Sequence, residues 1–183
     1  MKVKLANVRL AFPKLFKAES VNGGEPTFSA AFLMDPAHPA VKEIKAAIDK
    51  VGEAKFGAKW AQVKKGLEAQ DKLALHDGDT KADLAGYEGN LFINASNKTR
   101  PLIIDRDKTP LDSADGKPYA GCYVNASIEL WAQDNSFGKR VNASLRGVQF
   151  LKDGDAFAGG GAASDDEFDD LATDDFADDP AFA

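Results

Sequence analysis

The sequence predicts a mainly β domain with an inserted helix, most simply an OB-fold-like five-stranded Greek-key barrel, followed by a disordered acidic C-terminal tail. Three observations lead to this prediction. Apolar and polar residues alternate in about five separate segments, only one long segment shows clear helical spacing, and the last stretch is acidic without a single Lys or Arg. Strand-rich chains of this size are typical of small closed barrels, although an open α+β sandwich would give a similar pattern.

The strands are predicted from period-two alternation and from the turn residues that bound each run. The predicted strands are residues 8–12, 27–34, 89–95, 122–132 and 141–151, with a short extended run at 102–104. In the first strand Val8, Leu10 and Phe12 are expected to face the core. Asn22-Gly23-Gly24 forms a turn, so the first two strands are expected to pair as a hairpin, and Gly147 is expected to produce a bulge or bend in the last strand.

The clearest helix is predicted over residues 39–57, where apolar residues recur at helical spacing and Pro39 suits the first turn. A second short helix is expected near residues 56–67, and residues 70–89 are expected to form a long polar loop. The predicted domains are an OB-fold domain at 1–158 and a flexible acidic tail at 159–183.

Composition limits the class of protein. The single cysteine, Cys122, excludes an intramolecular disulfide framework and fits a reducing compartment. The polar, alternating N-terminus does not resemble a signal peptide, and no apolar run approaches the length of a membrane span. We therefore expect a soluble, cytosolic-type protein without membrane association.

The acidic tail reverses the charge balance of the chain. All 23 Lys and Arg residues precede Gly159, together with 20 of the 29 acidic residues, so the body carries a formal charge of +3 and the tail −9. A positively charged body favours the binding of polyanions. The tail is too poor in apolar residues to offset the entropy of folding, yet it contains Phe168, Phe176 and Phe182. A purely solubilising tail needs no aromatics, so these three are the predicted partner-binding residues.

In the predicted strands, the residues that alternate with the core residues face outward. The types of residue at these outward positions indicate nucleic-acid binding. Aromatic rings provide faces on which bases stack, and nearby cations contact phosphates. We predict that the DNA-binding residues are Phe92, Lys98, Arg100, Tyr123, Trp131, Arg140 and Arg146. The alternative for each aromatic residue is that it packs beneath the helix.

Catalytic and metal-binding patterns are weak. His76 is followed by Asp77, Asp79 and Asp83, but this spacing matches no EF-hand pattern, and Asp/Gly-rich segments are usually loops. We expect no enzymatic activity, no metal and no cofactor. A metal-dependent nuclease using these four residues is one rival; a DNA mimic or adaptor acting through the acidic tail is another.

Five stretches resemble a family of phage-encoded proteins, long known only as a domain of unknown function. They are VRLAFPKLF, NGGEPTFSAAFLM, SNKTRPLIID, YAGCYVNASIELWA and RVNASLRGVQFLKDGDAF. Members of that family look like single-stranded-DNA-binding proteins with an OB-fold and an acidic C-terminal tail. The resemblance covers nearly the whole body in order.

The resemblance implies a protein that coats transient single strands during phage DNA replication and recombination, in the cytoplasm of the infected bacterial host. It also implies a tail that competes with DNA and recruits a polymerase, helicase or nuclease of phage or host. Lys98 and Arg100 match the family's SNKxRP stretch, and Tyr123 matches its GCYVNA stretch. Many such tails end in phenylalanine, whereas here Ala183 follows Phe182. A homodimer is left open.

Overall fold

Strands supply most of the regular secondary structure in this computed structural model, which describes residues 1–157. Within that range the strands are β1 (Lys2–Glu19), β2 (Thr27–Met34), β3 (Leu75–Asp77), β4 (Leu91–Asn97), β5 (Leu102–Ile104), β6 (Tyr123–Asn135) and β7 (Gly138–Lys152). The helices are α1 (Pro39–Phe56) and α2 (Trp60–Ala69), with single 3₁₀ turns at Gly57–Lys59, Gly78–Lys81 and Ser113–Asp115. The two predicted helices and every predicted strand are present. The three-residue strand β3, within the predicted loop, was not anticipated.

The five long strands close into a barrel in the order β1-β2-β4-β7-β6. Antiparallel pairing joins β1 to β2 and β6, β2 to β4, and β6 to β7. A parallel contact between β4 and β7, with Ser96 opposite Ser144, completes the ring. β3 is added outside β4, and β5 outside β7. The predicted barrel and the β1–β2 hairpin are therefore confirmed, with α1 inserted between the second and third barrel strands.

The barrel interior is filled by alternate residues of each strand. In β6 the inward residues are Val124, Ala126, Ile128 and Leu130, all buried, as the alternation predicts. β7 keeps its apolar residues inward by means of bulges. The pairing moves from Ser127–Gly147 to Ile128–Leu145, which leaves Arg146 as the extra residue. The predicted irregularity at Gly147 thus allows both Leu145 and Val148 to point into the core.

Helix α1 covers one end of the barrel. Its N-cap is His38, whose Nδ1 accepts a hydrogen bond from the Ala40 N–H at 3.1 Å. Nε2 of the same ring therefore carries the proton and donates to the Ala6 carbonyl at 2.9 Å, which ties the helix to β1. Further along, Asp49 accepts hydrogen bonds from the Trp60 indole and the Lys64 ammonium. The bond from Lys64 is the main reason that the pKa of Asp49 lies below its usual value.

A second apolar cluster lies on the outer face of the sheet and corrects two predictions. The chain between β3 and β4 folds back over β2 and β4, so Phe92 lies against Tyr87 and is only 2% exposed. Phe92 has the outward phase that alternation predicts, but it does not reach solvent. The prediction that Phe12 faces the core is also wrong: Phe12 has a φ of 46° at a bulge in β1 and is 56% exposed.

The last described residues cross the outer face as a short extension, residues 153–157, which we call the strap. Phe157 packs against the second cluster and lies under the Arg9 guanidinium, with 4.4 Å between guanidinium carbon and ring centroid. Arg9 also donates to the carbonyls of Gly121 and Asp155. The tail, including Phe168, Phe176 and Phe182, lies outside the described residues, so the domain boundary at 158 stays a prediction. Among residues 1–157 no helix has the length and apolar character needed to cross a membrane.

Two helical glycines give a matched test of how α1 and α2 pack. A Cβ added at the buried Gly52 would collide with the Trp60 ring, whereas one at Gly66 would meet nothing within 4 Å. We expect Gly52→Ala to destabilise the fold by about 1–3 kcal/mol through overpacking. Gly66→Ala should stabilise it by about 0.5–1 kcal/mol, since alanine loses less backbone entropy in a helix. Urea unfolding measures both, and equal stability of the two variants would contradict the packing described for Trp60.

Candidate nucleic-acid interface

An open groove of about 410 Å³ runs along the outer face of β4, β7 and β6. We call it the β4–β7 groove. Its lining residues are Lys72, Leu73, Ala74, His76, Asn94, Ser96, Trp131, Gln133, Arg140, Val141, Asn142, Ala143 and Ser144. The side chains that form its floor are short and polar, because Asn94, Ser96, Asn142 and Ser144 occupy the outward phase of their strands. Short side chains leave space along the seam where β4 meets β7.

Trp131 forms one wall of the groove. Its indole N–H donates to the Ser144 hydroxyl at 3.1 Å across the β6–β7 pair, yet 43% of the residue remains exposed. A tryptophan whose only polar atom is satisfied by a neighbouring strand is held in one orientation. The exposed ring is then available for stacking without the entropy loss of ordering a free side chain.

The electrostatics of the groove favour an anion. Lys72, His76 and Arg140 line it, and none of its lining residues is acidic. Arg140 is exposed opposite Gln133 and makes no ion pair within residues 1–157. His76 Nδ1 lies 2.7 Å from Asp71 Oδ1, and its ring stacks on Phe92 with 5.1 Å between centroids. Phe92 therefore packs against His76, a residue that lines the groove.

Lys98 and Arg100 extend the positive charge beyond one end of the groove. They lie in the loop after β4, and the Asn97 amide just before them donates to the Leu145 carbonyl of β7 at 3.1 Å. Lys98 forms an exposed ion pair with Glu25 of the β1–β2 loop, and the Arg100 guanidinium lies 5.8 Å from the Phe16 ring centroid. The β6–β7 turn lies beyond the opposite end. The surface between these loops spans about 20 Å, at about 3.3 Å per residue along β4, and such loops flank the oligonucleotide face of OB-folds.

Arg146 lies beside the groove, and its positive charge is compensated by a carboxylate. Its guanidinium is 2.8 Å from Glu129 on the neighbouring strand. Exposed pairs of this kind are worth about 0–1 kcal/mol, so a phosphate can replace Glu129 at small cost. The surface around the groove thus holds five of the predicted DNA-binding residues. Trp131 and Arg140 line the groove, Arg146 lies beside it, and Lys98 and Arg100 lie beyond its end.

Tyr123 is separate from this surface. It shares the outward phase of Trp131, but the two are eight residues apart on β6, or about 26 Å. Tyr123 lies between two cations, with Arg9 at 5.8 Å and Lys152 at 4.8 Å from its ring centroid. Phe92, buried beneath His76, exposes no ring face. The fold therefore places three aromatics that share the outward phase in three different environments.

Several residues of the groove were not anticipated. Lys72, Gln133 and Asn142 line it, and Phe137 projects from the β6–β7 turn beyond it. A large aromatic inside a two-strand turn was a usable signal for Phe137. No such signal existed for Lys72, which reaches the groove because its carbonyl accepts a hydrogen bond from the Val141 N–H.

Two aspartates of the rival nuclease site hold the loop itself. Asp77 accepts from the Asp79 N–H, and Asp79 accepts from the Gly89 N–H. Within the described part of the chain, no three His, Cys, Asp or Glu side chains are grouped so that they could hold a metal ion.

Comparison with known proteins places the chain in a family. A family model described as "Enterobacter phage Enc34, ssDNA-binding protein" matches residues 1–179. A "Putative protein p50" from Acyrthosiphon pisum secondary endosymbiont phage 1 is 51% identical over 182 residues, covering 94% of this chain and 95% of that protein.

Solved structures agree with this assignment. The single-stranded DNA-binding protein from bacteriophage Enc34 in complex with ssDNA is 29% identical, with a TM-score of 0.73, over 86% of this chain and 89% of that one. The single-stranded DNA binding protein gp2.5 of bacteriophage T7 shares the fold, with a TM-score of 0.56 over 91% and 92% of the two chains at 13% identity. The chain therefore belongs to the family of phage single-stranded-DNA-binding proteins represented by that of Enterobacter phage Enc34.

Proposed function

We propose that this protein binds single-stranded DNA along the β4–β7 groove without sequence preference and without catalysis. The observation that supports this most strongly is the exposed Trp131 ring, fixed by Ser144 beside cations in a groove with no acidic lining residue. It acts on single strands exposed during phage DNA replication and recombination, in the cytoplasm of the infected bacterium.

Sequence tolerance follows from the kinds of contact that the groove offers. Bases stack on Trp131 through faces that every base possesses. Phosphates meet Arg140 and Lys72 in the groove, and Lys98 and Arg100 at its end; such contacts position a strand without reading its sequence. The amides that might read base edges are partly occupied, since Asn142 donates to Gln133 at 2.9 Å.

Tyr123 is the second stacking residue of this proposal, for strands long enough to follow β6. It lies on the same outward face as Trp131, and Arg9 and Lys152 flank its ring. A strand at duplex-like rise needs about eight nucleotides to cover the intervening 26 Å. Short oligonucleotides would therefore engage the Trp131 region alone.

The acidic tail is proposed to compete with DNA and to recruit a polymerase, helicase or nuclease through Phe168, Phe176 and Phe182. The strap supports this arrangement. Arg9 holds Asp155 and Phe157 in place, and it also contacts the Tyr123 ring. The end of the body from which the tail continues is therefore close to Tyr123. A tether gives the nine carboxylates of the tail a high effective concentration, in roughly the millimolar range.

Replacement of Trp131 tests the stacking role. Trp131→Ala should weaken binding to oligo-dT by about 1–3 kcal/mol, the value of one base–aromatic stack. The thermal midpoint should hardly change, because Trp131 is a surface residue. Trp131→Phe, which keeps an aromatic ring but loses the bond to Ser144 and part of the stacking area, is the matched control and should retain much of the affinity. A fall in thermal stability that accounts for the lost binding would mean that Trp131 is structural.

Removal of residues 159–183 tests the competition. The truncated protein loses nine carboxylates and should bind oligo-dT more tightly, most clearly at low salt, where charges are least screened. A full-length variant with Phe168, Phe176 and Phe182 replaced by Ala keeps the charge. It separates charge from aromatic contacts, and it should fail to recruit partners. Equal affinity of truncated and full-length proteins at low salt would exclude competition.

A further inference from the structure

The β6–β7 turn carries the most exposed large apolar side chain of residues 1–157. Phe137 is 87% exposed, twice the value for Trp131. Single exposed apolar residues are common on protein surfaces, so exposure alone carries no functional meaning. The hydrogen bonds that hold the turn in place give the position of Phe137 its meaning.

A chain of side-chain amides connects the groove to Phe137. Asn142 donates to Gln133 Oε1 at 2.9 Å, and Gln133 Nε2 donates to Asn135 Oδ1 at 3.1 Å. The same Gln133 nitrogen reaches the Gly138 carbonyl at 3.4 Å. Asn135 Oδ1 then accepts the Phe137 N–H at 2.9 Å. Because Gln133 and Asn142 line the groove, the backbone of Phe137 is fixed relative to the groove itself.

Arg140 lies between the two exposed aromatics. In the β6–β7 register Trp131 is opposite Asn142, Gln133 is opposite Arg140, and Asn135 is opposite Gly138. The turn is therefore about 13 Å beyond Trp131, at about 3.3 Å per residue, with Arg140 midway. The neighbouring Lys139 is 3.7 Å from Asp134, so its charge is partly compensated, whereas Arg140 has no ion pair within residues 1–157.

We propose that Phe137 is a stacking site for a nucleobase at the turn end of the β4–β7 groove, with Asn135 and Gln133 as its positioning residues. This inference rests on the proposed function and extends it. A strand that stacks one base on Trp131 passes a phosphate over Arg140 and stacks a later base on Phe137. At 3.4 Å per stacked nucleotide, the 13 Å interval corresponds to about four nucleotides.

The adjacent chemistry favours a nucleobase as the occupant over an apolar protein surface. An apolar partner would need a contiguous apolar patch, since stable protein interfaces have apolar centres depleted of charge. Around Phe137 the turn instead presents Asp134, Lys139 and Arg140 together with amides. Asp134 is paired with Lys139, so an isolated ring near Arg140 and the amides is suited to an aromatic, negatively charged polymer.

Affinity for two matched oligonucleotides tests the proposal. One is oligo-dT of about 16 nucleotides, the upper site size of a single OB-fold; the other has the same length and phosphates but abasic sugars. Phe137→Ala should weaken binding of oligo-dT about fivefold or more, the lower end of one base stack, and leave binding of the abasic strand unchanged. Phe137→Tyr, which keeps the ring, should restore most of the affinity.

Phe12→Ala is the matched control, because Phe12 is also an exposed phenylalanine but lies away from the groove, with its ring centroid 6.2 Å from that of Tyr87 in the second cluster. It should not alter binding of either strand. Asn135→Ala should reproduce part of the Phe137→Ala loss, and the double variant should lose no more than Phe137→Ala alone, since Asn135 acts through Phe137.

Failure of the stacking site can be distinguished from failure of the proposed function. Wild-type affinity of Phe137→Ala for oligo-dT, or an equal loss on the abasic strand, would overturn the stacking site while leaving the proposed function intact. Absence of oligo-dT binding by the wild-type protein would overturn the proposed function. A change in oligomer mass on Phe137→Ala, with unchanged DNA affinity, would assign Phe137 to a protein interface and also overturn the proposal.

Discussion

The parallel contact between β4 and β7 is the constraint on which the rest of the structure depends. It closes the barrel, so the apolar phases of the five long strands share one interior. The same contact brings the outward phases of β4 and β7 together, and this creates the groove. Serines meet at the seam, and the Asn97 amide bonds to β7 beside it. Larger residues at the seam would fill the groove.

The outer face of the barrel is divided between a covered half and an open half. The chain between β3 and β4, together with Phe157 of the strap, covers the outward residues Ala31, Leu33 and Phe92. Arg9 fixes this cover through two backbone carbonyls and the Phe157 ring. The polar groove residues lie outside the cover. The fold thus uses apolar outward residues to anchor connecting segments, whereas polar outward residues line the open groove.

The sequence predicted the barrel and its long elements but only part of the site, and the reason is physical. Alternation reports the side of a strand on which a residue lies, and it was correct for Phe92, Tyr123 and Trp131 alike. It carries no information on which loops return to cover that side, so Phe92 was grouped with the exposed aromatics. Alternation also says nothing about how far apart two residues lie along the same strand. Tyr123 and Trp131 therefore counted as one surface, although about 26 Å separates them. Phe12 was misassigned because its positive φ reverses the local phase.

The central claim is that single-stranded DNA follows the β4–β7 groove from the loop after β4 to the β6–β7 turn. Backbone amide NMR shifts, recorded on the full chain with and without oligo-dT, test this most directly. The account predicts that the largest changes fall at Asn94, Ser96, Asn142 and Ser144, at Lys98 and Arg100, and around Phe137. Short oligonucleotides should leave Arg9 and Tyr123 unchanged. Changes confined to the Arg9–Tyr123 region, with the groove unaffected, would contradict it.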